Sequence, residues 1–327
     1  MGKYIGKRLL MMIPVMLGVI VIVFIIMQMT PGDPARQILG DNASVEEVEA
    51  LREEMGLNDP LVVQCFNYIK NLVLHGDFGT SYRTNLPVIS DILVRFPTTM
   101  NLTFAGILFA IVLGIPLGIA SALKKGSILD EVCSVVGMVG ISMPNFWIGL
   151  LLAQLFALKL GWLPATGWYG PQYWILPAIT VGINGAAIIM RTTRSSMLEV
   201  IRQDYIRTAR AKGVYEKVVI TKHALKNAMI PIITAIGLRI GVQLGGAMVV
   251  ETVFSIPGLG KYLVDSISYR DYPAVRGGVL FIAIVFSLVN LCVDIIYAFV
   301  DPRIKSQYGG ANRKKKLIAE LGEEDPA

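Results

Sequence analysis

Two ionisable residues stand inside runs that otherwise carry no charge. Arg239 lies thirteen positions after Lys226 and twelve before Glu251, and Asp294 lies seven before Asp301. A charge at the centre of a membrane helix costs roughly 2.5–3.5 kcal/mol on insertion scales, so its presence asks for a reason. Three reasons fit these residue types. One or both can line a hydrated path for a polar substrate, the two can form an ion pair that locks their segments, or either can meet a partner subunit. At about 1.5 Å per helical residue, Asp294 is about 10 Å from the end of its run. Arg239 is near the middle of its own run, so a direct pair needs a reaching side chain or water.

Other chemistries lack their residues. The pairs Gly6-Lys7 and Gly260-Lys261 are neither followed by Ser or Thr nor preceded by the first glycine of GxxxxGK[ST], so neither opens a phosphate-cradling loop. There is no GxSxG or HExxH. His75 and His223 are far apart, and Cys65, Cys133 and Cys292 form neither a CxxC pair nor a disulfide framework. The chain therefore reads as no enzyme in its own right, with no metal site and no cofactor of its own.

A third candidate works by shape. Asp204 to Pro231, DYIRTARAKGVYEKVVITKHALKNAMIP, is a basic stretch between two long apolar runs. It reads as two short helices hinged at Gly213, because Lys212 in a last turn followed by glycine is a helix stop. Ile201, Tyr205 and Ala209 recur at i, i+4 and predict one apolar stripe. Thr208, Ala209 and Ala211 are small and would let another protein approach the backbone. Such an element suits docking and the transmission of force; the alternative is an ordinary basic loop.

The elements that must position these residues are membrane helices. Hydrophobic residues make up 54% of the 327 and charged residues 17%, against about 25% charged in soluble domains. The long uncharged runs predict an all-α polytopic membrane protein with six transmembrane helices. Residues 1–29 hold the N-terminal end and first span, which is too long for a signal-peptide core. Residues 30–95 form an extracytoplasmic segment, with a capping box at Ser44 and Glu47 and an apolar face of Val45, Val48 and Leu51. Residues 96–302 hold five more spans: about 96–123, 132–158, 175–190, 228–250 and 277–300. Pro144 is expected to break the third. Gly114-Gly118 and Gly241-Gly245 offer close-packing GxxxG surfaces. Trp162, Trp168, Tyr169, Tyr173 and Trp174 fit an interfacial belt or, alternatively, a substrate-stacking cluster. Residues 303–327 read as a disordered cytoplasmic tail. Most of the 30 basic residues fall in the segments this topology puts inside, so both termini are expected in the cytoplasm. The net charge of +6 then records topology and asks for no nucleic acid.

At 204–231 the chain resembles the cytoplasmic coupling loop of the membrane subunits of binding-protein-dependent ABC importers, and more narrowly the dipeptide and oligopeptide permeases. The general Glu-Ala-Ala-x-x-x-Gly core is met only by its second alanine and its glycine, since Arg207, Thr208, Ala209 and Gly213 stand there. The proline lies eighteen residues past the glycine, at Pro231, where about thirteen is usual. The subgroup strings RTARAKG (207–213) and HALxNAxxP (223–231) are both present, as are GDFGTS (76–81) and ETVFSIPGLG…RDYP (251–273). The resemblance implies a type I importer permease fold in the inner membrane of a prokaryote. It also implies a second, homologous permease subunit, most simply as a heterodimer, two cytoplasmic ATPase subunits that carry the ATP and Mg, and an external peptide-binding protein. Tyr205, Arg207, Thr208, Ala209, Lys212 and Gly213 would then face an ATPase. Related permeases handle nickel, glutathione or opine-like chelates, and a transporter or channel that uses no ATP is the rival class.

Overall fold

The computed structural model describes residues 2–40 and 42–300, so the expected tail at 303–327 lies outside the described residues. Thirteen helices occur among them. Five are long and apolar enough to cross a membrane, and the count is six if two helices joined at a bend of 109° are taken as one broken span.

The first span, α1, runs over Gly2–Met29. Three short helices follow: α2 (Pro34–Leu39), α3 (Val45–Glu54) and α4 (Leu61–His75). The capping box is present at the start of α3: the Ser44 hydroxyl accepts from the Glu47 N–H, and the Glu47 carboxylate accepts from the Ser44 N–H. Of its expected apolar face only Val48 is buried, and Val45 is 70% exposed. Helix α4 packs on α1 through Tyr68 and Phe24, 5.7 Å between ring centroids.

The second span, α5, is Val88–Leu123, and α8 is Pro171–Ile201. They pack face to face, and the glycines of α5 allow it. A Cβ at Gly114 would lie 2.8 Å from the Ala186 carbonyl oxygen, and one at Gly118 would lie 2.6 Å from that of Met190. Gly106 in turn meets Val181 and Gly182. Contacts advance together along both helices, so α5 and α8 are parallel.

The chain must therefore cross back between them. Helix α6 (Ile128–Ser142) and α7 (Asn145–Leu152), extended by a π-helical turn over Ala153–Lys159, make that return. Gly137 meets Met190, Gly140 meets Ala187, and Gly149 meets Thr180, so the contacts of the bent pair step back along α8 in the opposite chain direction. Pro144, with no N–H to continue the ladder, sets the break where it was expected.

Helix α8 continues well beyond the uncharged run ending at Met190. It leads into α9 (Asp204–Ala211), α10 (Glu216–Val218) and a π-helical turn over Val219–Ala224, which runs directly into α11 (Leu225–Val253). Helix α12 (Leu259–Ser268) caps the opposite end, and α13 (Tyr272–Val300) returns. Ile20 and Phe24 of α1 pack with Leu280 of α13. Arg8 pairs with Asp294. These two helices are therefore antiparallel, and the N-terminal end of α1 and the later part of α13 share the end of the bundle that carries α9.

Of the two GxxxG pairs, Gly114-Gly118 is used inside the chain as expected. Gly241 meets Phe286 and Asn290 of α13, while nothing stands within 4 Å of a Cβ at Gly245.

Candidate functional site

The hairpin of α9 and α10 is built outward from the core. Ile206 is fully buried and Ala209 is 8% exposed. Both belong to one apolar cluster with Met197 of α8, Val219 and Ala224 of the π-helical turn, and Ala228 and Ile232 of α11. Helix α9 is thus welded to the ends of both α8 and α11. The turn is closed by the backbone: Lys212 N–H donates to the Thr208 carbonyl at 3.0 Å, and Gly213 N–H donates to that of Arg210 at 2.9 Å. Gly213 has φ +76°, the left-handed region that glycine enters without strain. Arg210 bridges to Glu216 across the turn at 2.6 Å. That carboxylate raises the guanidinium above its ordinary, already high value.

Two expectations about the hairpin are corrected. The apolar stripe is Ile206 and Ala209, at i, i+3, and Tyr205 is 44% exposed. Ala209 is also not a small residue offered to a partner, because it is packed inside its own chain. The expected residues left outward are Tyr205, Arg207, Thr208, Ala211, Lys212 and Gly213, joined by Tyr215 at 84% exposure. Tyr215 was missed because it stands beyond the glycine, outside the stripe.

A polar junction lies deeper in the bundle. The break at Pro144 leaves the Gly140 carbonyl without its usual donor four residues on. The Asn184 side-chain amide fills the place, donating to the Ile141 carbonyl at 3.2 Å and to that of Gly140 at 3.5 Å. The same amide accepts from Arg239 Nη1 at 3.1 Å. Irregular backbone at membrane depth is tolerated where protein satisfies it, and Asn184 does so here. Next to it, Gln243 of α11 donates to the Val181 carbonyl at 3.3 Å. Gly106 leaves the room for it, since a Cβ there would lie 2.6 Å from Gln243 Nε2. One junction thus joins α6, α8 and α11.

Arg239 and Asp294 are not brought together. Among the described residues, Arg239 has an asparagine and no carboxylate as partner, while Asp294 pairs with Arg8 of α1 at 3.0 Å. The ion pair considered between the fifth and sixth spans exists instead between the first and sixth. Arg8 borders the first apolar run and can reach back along it.

Charge-free runs also clip the helices too short. Glu251, assigned to a loop, is fully buried within α11, and its carboxylate accepts from the N–H groups of Gly260 and Lys261 at 2.7 and 3.1 Å. Gly258 makes this possible, because a Cβ there would fall 2.2 Å from that carboxylate. Asp130 stands buried in the first turn of α6 rather than in a loop. It accepts from Arg194 Nε and Nη2 at 2.6 and 2.8 Å, from the Gly126 N–H at 2.9 Å and from the Ser121 hydroxyl of α5, tying α5, α6 and α8 together below the junction. Of the aromatic group, Trp168 and Trp174 stack at 4.5 Å while Tyr169 is 88% exposed. Trp168 and Leu163 pack on the cluster around Phe254.

This bundle is the membrane-subunit fold of ABC transporters. It superposes on a chain of the MetNI methionine ABC transporter in inward-facing conformation with a TM-score of 0.54, at 18% identity, covering 65% of this chain and 97% of that one. A second crystal form of MetNI gives 0.53 at 21% identity, covering 64% and 96%. The chain belongs to the family of binding-protein-dependent transport system inner membrane components, whose model matches residues 114–306, with the family's N-terminal model on residues 1–103. It is 44% identical over 333 residues to the dipeptide transport system permease protein DppB of Alkalihalophilus pseudofirmus, covering 93% of this chain and 100% of that protein. It is 46% identical over 305 residues to the glutathione transport system permease protein GsiC of Salmonella choleraesuis, and 45% to that of Escherichia coli K12, covering 93% of this chain and 99% of each. Membership of this family makes it a multi-pass permease component.

Proposed function

We propose that this chain forms half of the membrane pathway of an ATP-driven importer of short peptides, and that its α9–α10 hairpin is the seat of a separate ATPase subunit. The observation that carries the reading is the hairpin's construction: a rigid body fused to α8 and α11 by Ile206 and Ala209, with Tyr205, Arg207, Thr208 and Lys212 outward. A push on that surface moves two spans together. The hairpin end then faces the cytoplasm, as does the N-terminal end of α1, in keeping with the basic residues Lys124, Lys125, Arg191, Arg194 and Arg202 near the same end.

ATP and Mg belong to two partner subunits in this reading, and this chain binds neither. An external binding protein delivers the substrate to the opposite end. The second permease, a homologous rather than identical chain, meets exposed faces such as that of Leu238, Val242 and Val249 on α11, where Gly245 stands open. Arg239 lines the path, holding a carboxylate-bearing substrate briefly as it passes the junction. Relatives named for dipeptide and for glutathione, itself a short peptide, support this cargo. A self-contained ion path is disfavoured, since Arg239 and Asp294 serve separate contacts.

The test is uptake of labelled dipeptide into vesicles containing both permeases and both ATPase subunits, with binding protein outside. Uptake should need ATP on the hairpin side. Uptake driven by an ion gradient with the ATPase subunits left out would contradict the proposal.

A further inference from the structure

At the end opposite the hairpin, a cleft of about 390 Å³ opens between residues 81–84, the start of α5 and one side of α12. Its shape is fixed by the strings that the resemblance singled out. Asp271 of RDYP accepts from the Tyr82 and Arg83 N–H groups at 3.1 and 3.4 Å, from the Ala274 N–H at 3.3 Å and from the Ser81 hydroxyl. Glu251 holds the N-terminal turn of α12. Among the described residues neither carboxylate has a cation as its partner, so both are spent on architecture.

The cations of the cleft are Arg83, Arg95 and Lys261. Arg95 is neutralised by Asp91 at 2.7 Å, and Lys261 pairs with Asp265 at 3.0 Å. Arg83 differs. Its guanidinium rests on the Tyr269 ring, 3.9 Å from the centroid, and no carboxylate among the described residues neutralises it. The residue is exposed, so solvent and solutes reach it. The cleft therefore offers one uncompensated planar cation together with an ammonium–carboxylate pair that a ligand's own charges can exchange with.

We infer that this cleft is an entry site for the substrate, taking the free C-terminal carboxylate of a short peptide on Arg83 and its amino group on Asp265; this rests on the importer reading above. The guanidinium fork matches a carboxylate in two parallel hydrogen bonds. Small-ligand sites occupy about 300–1,000 Å³, which places this one at the size of a di- or tripeptide. Its concavity and its two signs of charge favour a small zwitterion. An acidic protein surface would be met better by a flat, purely basic patch.

The experiment titrates alanyl-phenylalanine and its C-terminal amide into the purified permease–ATPase complex without binding protein, and repeats both with Arg83→Gln. Asp271 grips this segment through backbone N–H groups, so the variant keeps the cleft's frame. The free dipeptide should bind. Amidation or Arg83→Gln should each weaken it about tenfold, the loss of one charge-assisted contact, and the amide should not distinguish the two proteins. Equal affinities for dipeptide and amide, or no binding at all, would overturn the site. So would an Arg83→Gln variant whose only change is a higher binding-protein concentration for half-maximal uptake, which would make the cleft a protein-docking surface. Absence of ATP-driven peptide uptake by the unaltered complex would instead sink the importer reading.

Discussion

Replacement of Gly213 separates a backbone requirement from a surface requirement at the hinge of the hairpin. The residue has φ +76°, and a Cβ built there meets nothing within 4 Å. A Cβ at 213 therefore touches no other atom among the described residues, and its cost there is conformational. That cost is about 1–2 kcal/mol for an ordinary L-residue, higher for a β-branched one, and small for asparagine. At about 1.4 kcal/mol per factor of ten, Gly213→Val shifts the balance between the tight turn and an opened one by at least about tenfold. A lever with an opened hinge absorbs the motor's stroke. In reconstituted vesicles Gly213→Val should raise the ATP hydrolysed per dipeptide imported, Gly213→Ala should raise it less, and Gly213→Asn should stay close to the parent. An unchanged ratio for Gly213→Val refutes the lever. A Gly213→Asn variant as poor as Gly213→Val refutes the backbone argument and points to a clash with the ATPase.

Ala209 is packed between α8 and α11, so Ala209→Leu should overpack the weld and cost about 1–3 kcal/mol, read as a lower melting temperature before any ATPase is added. Asn184→Leu should strand the Gly140 and Ile141 carbonyls and the Arg239 guanidinium. The expected cost is about 1–3 kcal/mol, with a larger loss of uptake than of ATP hydrolysis. Gly258→Ala should push the Glu251 carboxylate off the start of α12, measurable as faster hydrogen exchange confined to α12 and the segment after it. Arg194→Met should destabilise the protein more than Arg210→Gln, because Asp130 is buried and Glu216 is half exposed.

The six crossings were legible because each apolar run is long, and the break in the third because proline has no N–H to give. The ends of helices were not. Uncharged runs stop at the first ionisable residue, yet Asp130 and Arg194 are carried inside helices by each other across the bundle, and Glu251 by the N–H groups of Gly260 and Lys261 past the following turn. The hairpin was legible as two helices and a glycine stop. Its orientation was not, since Ile201, Tyr205 and Ala209 and the true pair Ile206 and Ala209 are both consistent with a helical period. Tertiary packing on Met197 and Ile232 made the choice. Asn184 was visible as a polar residue inside a span, but its role needed the neighbouring helix break to be in place.

The most direct measurement places a single cysteine at Arg207, whose side chain is 75% exposed, in a chain whose Cys65, Cys133 and Cys292 are replaced. A short bifunctional reagent is then added to sealed vesicles carrying the complex. A cross-link to an ATPase subunit is expected, with no reaction with a membrane-impermeant thiol reagent on the binding-protein side. Labelling from the binding-protein side, with no cross-link to the ATPase, would contradict the proposal.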